Sequence, residues 1–297
     1  MIKKTIAKLL EFYRYTSQLA ELEEGDYAKL DFRIALQKKK SDTIFILGSS
    51  PSILSIQPST WKEISHHDSF ALNTFAFHDH IPTYYSLELS DQMYNHFLFS
   101  EITKKYGEKD GVIFFLRFPN FKSSKIKYEK IPKIIHRNHA FIMPKMFFGS
   151  GRELVIRACK ELRLKKEKGK IDHKSFFHIR ASLSTCIQIC WALGYKNICL
   201  PGVDLKNQYY FFQQIDNDNA REYSRLDGIY TDYNIRTLDV QRFHRTESSL
   251  VSSESNTLPI SEILVILQNE LLSFSGSQIY AYSSESKLSE YFPTWNF

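Results

Sequence analysis

Residues 42–54 read Asp42-Thr43-Ile44-Phe45-Ile46-Leu47-Gly48-Ser49-Ser50-Pro51-Ser52-Ile53-Leu54. A short apolar run ends at a glycine, small hydroxyl residues follow, and a helix-like segment comes next. An α/β protein builds its first strand, a tight turn and a helix start in this way. Because a glycine lets a ligand approach the backbone closely, the N–H groups of this turn can hold a phosphate. The turn is therefore the first place where we expect a binding site.

From Ser41 onward, strand patterns alternate with helix patterns. The predicted strands are Thr43–Leu47, Ser69–Leu72, Tyr84–Leu87, Val112–Leu116, Asn197–Leu200 and Gln278–Tyr282. The predicted helices are Ser59–Ile64, Gln92–Lys104, Gly151–Leu164, Ser184–Leu193 and Ser261–Leu272. This alternation predicts an α/β fold with a Rossmann-like, mostly parallel sheet and helices on both faces. Ligands of such sheets bind beyond the carboxyl ends of the strands.

Two segments depart from this alternation. Residues 1–40 form an N-terminal helical extension, with apolar residues at helical spacing over 1–14, lysines between them, and a second helix predicted over Tyr27–Gln37. A basic amphipathic helix over 1–14 either contacts an anionic membrane surface peripherally or packs against protein. Residues 205–257 are rich in Tyr, Asp and Asn and poor in aliphatic residues, which is typical of a lid or a surface insertion.

Composition and charge narrow the class of partner. The chain has 297 residues and a formal net charge of +6, which suits an anionic partner. No nucleic-acid-binding signature accompanies its basic clusters, so no nucleic-acid partner is predicted. The four cysteines form no CxxC pair and no signal peptide precedes the chain, which predicts reduced thiols in a cytoplasmic protein. No apolar run approaches the ~20 residues of a membrane span.

Short motifs that suggest a metal carry little weight here. Asp216-Asn217-Asp218 is a D-x-D pattern of the kind that holds a divalent cation in metal-dependent glycosyltransferases. A cation site of this kind needs further oxygen ligands, which the pattern does not supply. The histidines His66, His67, His78 and His80 lack the distant Cys/His pair of a zinc site. We therefore predict no metal site.

Several single residues are candidates for binding or catalysis. Asn73 follows the second predicted strand, and its amide either donates to a phosphate or ribose or caps a turn. Arg180 precedes an apolar helix, where Ser182 or Ser184 can act as the cap and leave the arginine to pair with an anion. Asp204 lies at the end of a later strand and can accept ribose hydroxyls or cap a turn.

His244 lies among arginines within the polar segment. A histidine there can act as a general base near neutral pH, or it can simply be a surface residue.

Taken together and in this order, the motifs resemble the bacterial sialyltransferases of glycosyltransferase family 42, which use CMP-sialic acid. The likeness covers roughly residues 41–297 as short islands, of which Ala192-Leu193-Gly194-Tyr195-Lys196 is the most specific. The other islands are Gly48–Ser52, Phe70–Phe75, Arg180–Ser184, Gly202–Asp204 and His244.

The resemblance implies a single-domain GT-A-like variant over 41–297 that binds a nucleotide sugar and has residues 205–257 as its lid. It implies metal-independent transfer, with inversion, from a CMP-activated acidic sugar that is a substrate and not a cofactor. His244 would deprotonate the acceptor hydroxyl, and Tyr209 and Tyr210, or alternatively Tyr230 and Tyr233, would stabilise the leaving phosphate. The nucleotide would be held by Gly48, Ser49, Ser50, Pro51, Ser52, Asn73, Arg180, Ser182, Ser184 and Asp204.

The acceptor implied is a glycan or lipid-linked glycan of the bacterial surface, as in lipooligosaccharide or capsule biosynthesis. This suits an enzyme at the inner membrane face, and homo-oligomers are common among such enzymes. The sequence departs from the family at Ser49, where the family has asparagine, and after the third strand, where Ser86 and Glu88 are nearest to a further family asparagine. Kdo, pseudaminic acid or legionaminic acid is therefore also compatible as the donor sugar.

Three rival interpretations stay open. One is a metal-dependent nucleotide-sugar transferase that uses Asp216 and Asp218. Another is a non-catalytic accessory protein that binds a nucleotide or glycan. A nucleotide pyrophosphokinase-like activity, which would prefer ATP, is a more distant third.

Overall fold

A seven-stranded sheet forms the centre of the structure, a computed structural model that describes residues 32–88, 92–106, 111–117, 131–137, 139–142, 144–146, 151–206, 209–226, 247 and 258–296. Its strands are β1 (Thr43–Leu47), β2 (Asp68–Leu72), β3 (Tyr84–Glu88), β4 (Ile113–Arg117), β5 (His139–Ile142), β8 (Asn197–Leu200) and β9 (Gln278–Ala281). Two short strands, β6 (Lys145–Met146) and β7 (Phe177–His178), pair separately. The spatial order is β5-β4-β3-β2-β1-β8-β9, and every neighbouring pair is parallel.

Helices cover both faces of this sheet. They are α1 (Phe32–Gln37), α2 (Pro58–Ser65), α3 (Gln92–Tyr106), α4 (Lys133–Arg137), α5 (Arg152–Glu167), α6 (Ser182–Ala192), α7 (Asp218–Leu226) and α8 (Ile260–Leu267). Alternate residues of β1 enter different cores: Ile44 and Ile46 pack with α1, α5, α6 and α8, whereas Phe45 and Leu47 pack with α2, α3, α4 and α7. A strand buried on both faces explains why β1 is a continuous apolar run. The predicted Rossmann-like parallel sheet is confirmed.

All six predicted strands and all five predicted helices between Ser41 and the C-terminus are present, with ends that differ by a few residues. The predicted helix Ser261–Leu272 is α8 followed by one π-helical turn over Gln268–Leu272. The sequence analysis missed β5, α4 and α7. These elements are short or polar, and the core residues Ala140 and Ile142 of the edge strand β5 are too few to define a period.

Part of the predicted insertion 205–257 belongs to the body of the protein. Phe211 and Phe212 are buried in the core on the α3 side of the sheet, and the Phe211 N–H donates to the Ser49 carbonyl at 2.9 Å. On α7, the Asn219 amide donates to the Glu101 carboxylate of α3 at 3.1 Å. Residues 227–246 and 248–257 lie outside the described residues, so the extent of the lid stays a prediction.

The four cysteines are buried and none is in a disulfide, as predicted. Burial raises the pKa of Cys159 and of Cys186 to about 12, so both remain thiols. Within the described ranges no helix is both long enough and apolar enough to cross a bilayer. The predicted amphipathic helix over 1–14 lies outside those ranges.

The sheet has a topological switch point between β1 and β8. From β1 the strands proceed to one side as far as β5, and the chain then returns to place β8 and β9 on the other side. In open parallel sheets the crevice at such a point, beyond the carboxyl ends of the strands, is where ligands bind. The turns after β1 and β8 meet there so closely that a Cβ atom on Gly48 would lie 2.1 Å from the Gly202 carbonyl oxygen.

Candidate functional site

A cleft of about 480 Å³ opens at this switch point, beyond the carboxyl ends of β1, β2, β3 and β8. It brings together residues that are far apart in the sequence. The sequence-predicted residues that line it are Gly48, Ser49, Ser50, Asn73, Arg180, Ser182, Asp204, Tyr209 and Tyr210. The resemblance had assigned these residues to one nucleotide site, and the structure places them around one cavity.

Three predicted residues do not line the cleft. Ser184 is fully buried, and its hydroxyl lies 2.9 Å from the Ile179 carbonyl and 2.8 Å from the Ala181 carbonyl, so it holds the turn before α6. Pro51 and Ser52 begin a 3₁₀ turn over Pro51–Ser55 and are not part of the cleft lining. The structure therefore does not bring these three residues to the cleft lining, and their contact with a nucleotide stays a prediction.

The N–H groups of the first turn serve the fold more than a ligand. The Gly48 N–H donates to the Pro201 carbonyl at 2.8 Å, and the Ser50 N–H donates to the Gly202 carbonyl at 2.9 Å. These two N–H groups, which were expected to bind a phosphate, thus join the β1 turn to the β8 turn instead. Ser49 presents a hydroxyl at the cleft, 3.1 Å from the Thr74 hydroxyl.

The backbone around the cleft is strained. Among the described residues, the non-glycine positions with positive φ are Asn73 (39°), Arg180 (66°) and Leu205 (60°), and all three line the cleft. Asparagine tolerates this region, but for other L-residues a left-handed backbone costs roughly 1–2 kcal/mol. Such strain persists where the surrounding structure fixes it, and it is concentrated at functional sites.

Arg180 is the cationic residue among the described residues that line the cleft. It lies in a tight turn between β7 and α6, which the Ala181 N–H closes by donating to the Ile179 carbonyl at 2.7 Å. Burial lowers the pKa of Arg180, and the nearby Glu247 carboxylate partly offsets this effect. Arginine stays protonated even so, because its ordinary pKa exceeds 12. The turn therefore holds a guanidinium where an anion can meet it.

The sequence analysis missed a network on the floor of the cleft. Arg117, the last residue of β4, is buried and pairs with the carboxylate of Glu88, the last residue of β3. It also donates to the His178 Nδ1 at 2.6 Å and to the Ser182 hydroxyl at 2.7 Å. Asn73 joins the network by donating from Nδ2 to the Ser182 hydroxyl at 3.2 Å. The only sequence signal was a charged residue at the end of each apolar strand.

The histidine that lines the cleft is His178, whereas the histidine predicted to act as a base is His244. Burial and the Arg117 charge hold the pKa of His178 well below the ordinary range, so it is neutral near pH 7. His244, the predicted base, lies outside the described residues, as do Tyr230 and Tyr233.

Tyr209 and Tyr210 stand at the rim of the cleft. Tyr210 stacks on the buried Phe212 with ring centroids 5.2 Å apart, and its N–H donates to Gln213 Oε1 at 2.8 Å. The N–H of Phe211, the residue after Tyr210, donates to the Ser49 carbonyl and so fixes the two tyrosines beside the β1 turn.

The D-x-D motif lies elsewhere. Asp216 and Asp218 are exposed and outside the cleft lining, and both interact with Arg221. In the described part of the chain, no three His, Cys, Asp or Glu side chains are grouped as ligands of a metal. His78 and His80 each lie against Trp61 with ring centroids 4.8 Å apart, and burial lowers the pKa of both to about 4.

No protein-family model matches the chain, and no curated protein matches it. Among solved structures it is similar to the monofunctional alpha-2,3-sialyltransferase Cst-I from Campylobacter jejuni, at 18% identity, 86% coverage of this chain, 82% of that chain and a TM-score of 0.43. It is also similar to an alpha-2,3-sialyltransferase from the same organism in apo form, at 20% identity, 86% coverage of this chain, 80% of that chain and a TM-score of 0.39. The third similar structure is the sialyltransferase CstII from that organism in complex with the substrate analogue CMP-3FNeuAc. Its identity is 14%, the match covers 86% of this chain and 88% of that chain, and the TM-score is 0.41.

These neighbours are enzymes of the class that the sequence motifs resemble. Because the identities are low and the TM-scores lie below 0.5, the function is inferred from this chain's own residues.

Proposed function

We propose that this chain is a glycosyltransferase that moves a sialic-acid-like sugar from a CMP-activated donor to a hydroxyl of a bacterial surface glycan or its lipid-linked precursor. One observation carries the proposal. Separate islands of the resemblance, around Ser49, Asn73, Arg180 and Asp204, meet in one cleft at the switch point of a parallel sheet.

The cleft has groups suited to each part of such a donor. The Arg180 guanidinium can pair with the phosphate, and the Ser49 and Ser182 hydroxyls can donate to it. Asp204, at the end of β8, can accept hydrogen bonds from ribose hydroxyls. Net positive charge on the chain favours approach of an anionic donor.

In the proposed reaction the acceptor oxygen attacks the anomeric carbon, and the bond from that carbon to the phosphate oxygen breaks. The electron pair leaves with CMP, whose growing negative charge the Tyr209 and Tyr210 hydroxyls would stabilise as preorganised donors. The proton of the acceptor hydroxyl would pass to His244 as general base. Charge stabilisation of this kind needs no metal ion in principle, and metal independence is part of the proposal.

We expect CMP to stabilise the protein more than UDP, GDP or ADP, and magnesium to make no difference. A ligand at a hundred times its Kd adds about 2.7 kcal/mol to the free energy of unfolding, which raises Tm by roughly 4 °C in a chain of this size. The measurement is thermal unfolding with each nucleotide, with and without magnesium, and cytidine is the control that lacks the phosphate.

Other outcomes favour the rivals. A magnesium-dependent shift with UDP or GDP would support a transferase that uses Asp216 and Asp218. A preference for ADP would point to the pyrophosphokinase-like alternative. Release of CMP from CMP-sialic acid in the presence of EDTA distinguishes an enzyme from an accessory protein, which would bind the donor without turnover.

A further inference from the structure

We propose that a second cavity binds a soluble phosphate monoester at the edge of the sheet opposite the cleft. This cavity has a volume of about 330 Å³ and lies at the amino ends of β2, β3 and β4. The cleft lies beyond the carboxyl ends of β2 and β3, so the length of the strands separates the two cavities. None of the residues that line the second cavity belongs to the motifs that carry the family resemblance. It would therefore bind its ligand independently of the proposed donor.

The charge at this cavity favours an anion. Lys38 and Lys40 line it, and neither side chain is paired with a carboxylate in the part of the chain that the structure describes. Lys39, which lies between them in the sequence, pairs instead with Asp42 at 2.7 Å. Two cations that converge on one cavity without a carboxylate partner attract a negatively charged ligand.

A buried carboxylate behind the cavity already has its own donors. Asp68, the first residue of β2, is fully buried and is not part of the lining. One carboxylate oxygen accepts the Lys40 N–H at 2.7 Å and the Ser41 N–H at 3.3 Å, and the other accepts the Thr83 hydroxyl at 3.1 Å. These donors offset the charge of Asp68, and they fix the backbone from which the Lys40 side chain starts.

The cavity also has neutral polar groups within it. Ser69 is only 3% exposed, and its hydroxyl lies 3.1 Å from His80 Nε2. Burial lowers the pKa of His80 to about 4, so this ring is neutral near pH 7. Where His80 Nε2 carries the ring proton and donates it to Ser69, the Ser69 proton remains for a ligand oxygen. A hydroxyl and two lysines thus line the same cavity.

The apolar part of the lining indicates an ester and not a bare anion. Ile81, Pro82 and Val112 line the cavity, and Pro82 and Val112 are buried. Small-molecule sites combine such apolar walls with a few polar groups, and their volumes begin at about 300 Å³. The carbon skeleton of the ester would contact the apolar wall. The three terminal oxygens of its phosphate match two ammonium groups and one hydroxyl, whereas a carboxylate has only two oxygens.

The test follows the histidine ring signals of the full chain by NMR during a titration with glycerol 3-phosphate. We expect the His80 signals to move and then saturate, and the ring to protonate at higher pH, because the bound anion offsets the Lys40 charge that lowers its pKa. His178 lines the cleft and reports binding there separately. His80 signals that do not move would overturn the site, whatever happens at His178.

Variants of the lining locate the ligand within the cavity. Lys40→Gln should raise the Kd for the ester about 5-fold, and the double variant Lys38→Gln/Lys40→Gln at least about 10-fold. Ser69→Ala should raise it about 3-fold. The matched control is Lys62→Gln, at an exposed lysine of α2 outside the lining, which should leave the Kd unchanged.

Non-specific attraction to surface lysines would give a different pattern. Lys62→Gln would then weaken the ester as much as Lys40→Gln does, and Ser69→Ala would have no effect. If Ser69→Ala does not fold, the lysine variants still decide, because Lys38 and Lys40 are exposed.

Competing ligands define the chemical class. Acetate should need about ten times the concentration of the ester to move the His80 signals, and an equal response would contradict a phosphate site. Vesicles of phosphatidylcholine and phosphatidic acid should not displace the ester, and displacement would assign the cavity to a lipid headgroup instead. Arg180→Ala should keep the response of His80, since Arg180 lines the cleft and not this cavity. Loss of that response in Arg180→Ala would place the ester in the cleft and overturn the second site.

Discussion

Gly48→Ala should destabilise the folded protein by about 3 kcal/mol or more and remove nucleotide binding. A Cβ at this position would lie 2.1 Å from the Gly202 carbonyl oxygen and 2.6 Å from the Val203 Cγ2. The nearer obstacle is backbone, which cannot rotate away as a side chain can. The β1 and β8 turns would have to separate, and the two hydrogen bonds between them would lengthen. Chemical denaturation and calorimetry with CMP measure the two effects.

Gly111→Ala is the control for this substitution. A Cβ at Gly111 has no heavy atom within 4 Å, and its φ lies outside the left-handed region. We expect its unfolding free energy to stay within ~0.5 kcal/mol of the wild type or to rise slightly, since alanine restricts the unfolded chain. If Gly48→Ala unfolds at the wild-type denaturant concentration and still binds CMP, the close approach of the two turns is wrong.

Arg180→Ala should weaken CMP binding about 100-fold. Loss of a charge-assisted hydrogen bond to a phosphate costs roughly 1.5–3 kcal/mol. Arg180→Gly should lose the same affinity but be about 1 kcal/mol more stable than Arg180→Ala, because φ at this residue is 66° and alanine keeps the left-handed strain that glycine avoids. Calorimetry gives the affinities, and urea denaturation gives the difference in stability.

The pair of variants separates the backbone effect from the charge effect. Both remove the same guanidinium, so any loss of interaction with Glu247 cancels in their comparison. Arg221→Ala, at an exposed arginine outside the cleft lining, should leave CMP affinity unchanged. Equal stability of Arg180→Gly and Arg180→Ala would contradict a left-handed backbone at this turn, and normal CMP binding by Arg180→Ala would exclude it as the anion site.

The sheet could be predicted because its central strands are buried on both faces. Such strands read as continuous apolar runs that end at glycine or at a polar residue, and β1 and β8 show this directly. The strand β5 lies at the edge of the sheet, is four residues long and gave no comparable signal. The polar helix α7 was hidden within a segment whose composition favoured a loop, although Ala220 and Ser224 are buried.

The site was predictable only where a turn carries its residues. Ser49, Asn73 and Asp204 follow strands, and the carboxyl ends of parallel strands share one edge. The Arg117 network depends instead on the register that pairs β3 with β4, which no local pattern reveals. Ser182 and Ser184 were equivalent in the sequence, since either can cap α6. In the structure the helix turns only the first towards the cleft.

The pairing of β1 with β8 also fixes the order in which the molecule can be assembled. Thr43 and Asn197 contact each other at a sequence separation of 154, and closing so long a loop is slow because its entropy is lost before any contact forms. The chain up to β4 already carries Ser49, Asn73, Glu88 and Arg117, but their partners Arg180, Ser182 and Asp204 follow the return crossover. A growing chain therefore has only part of the cleft until β8 pairs with β1. Nucleotide can select only the completed molecule, so it should retard unfolding and leave the rate of folding unchanged.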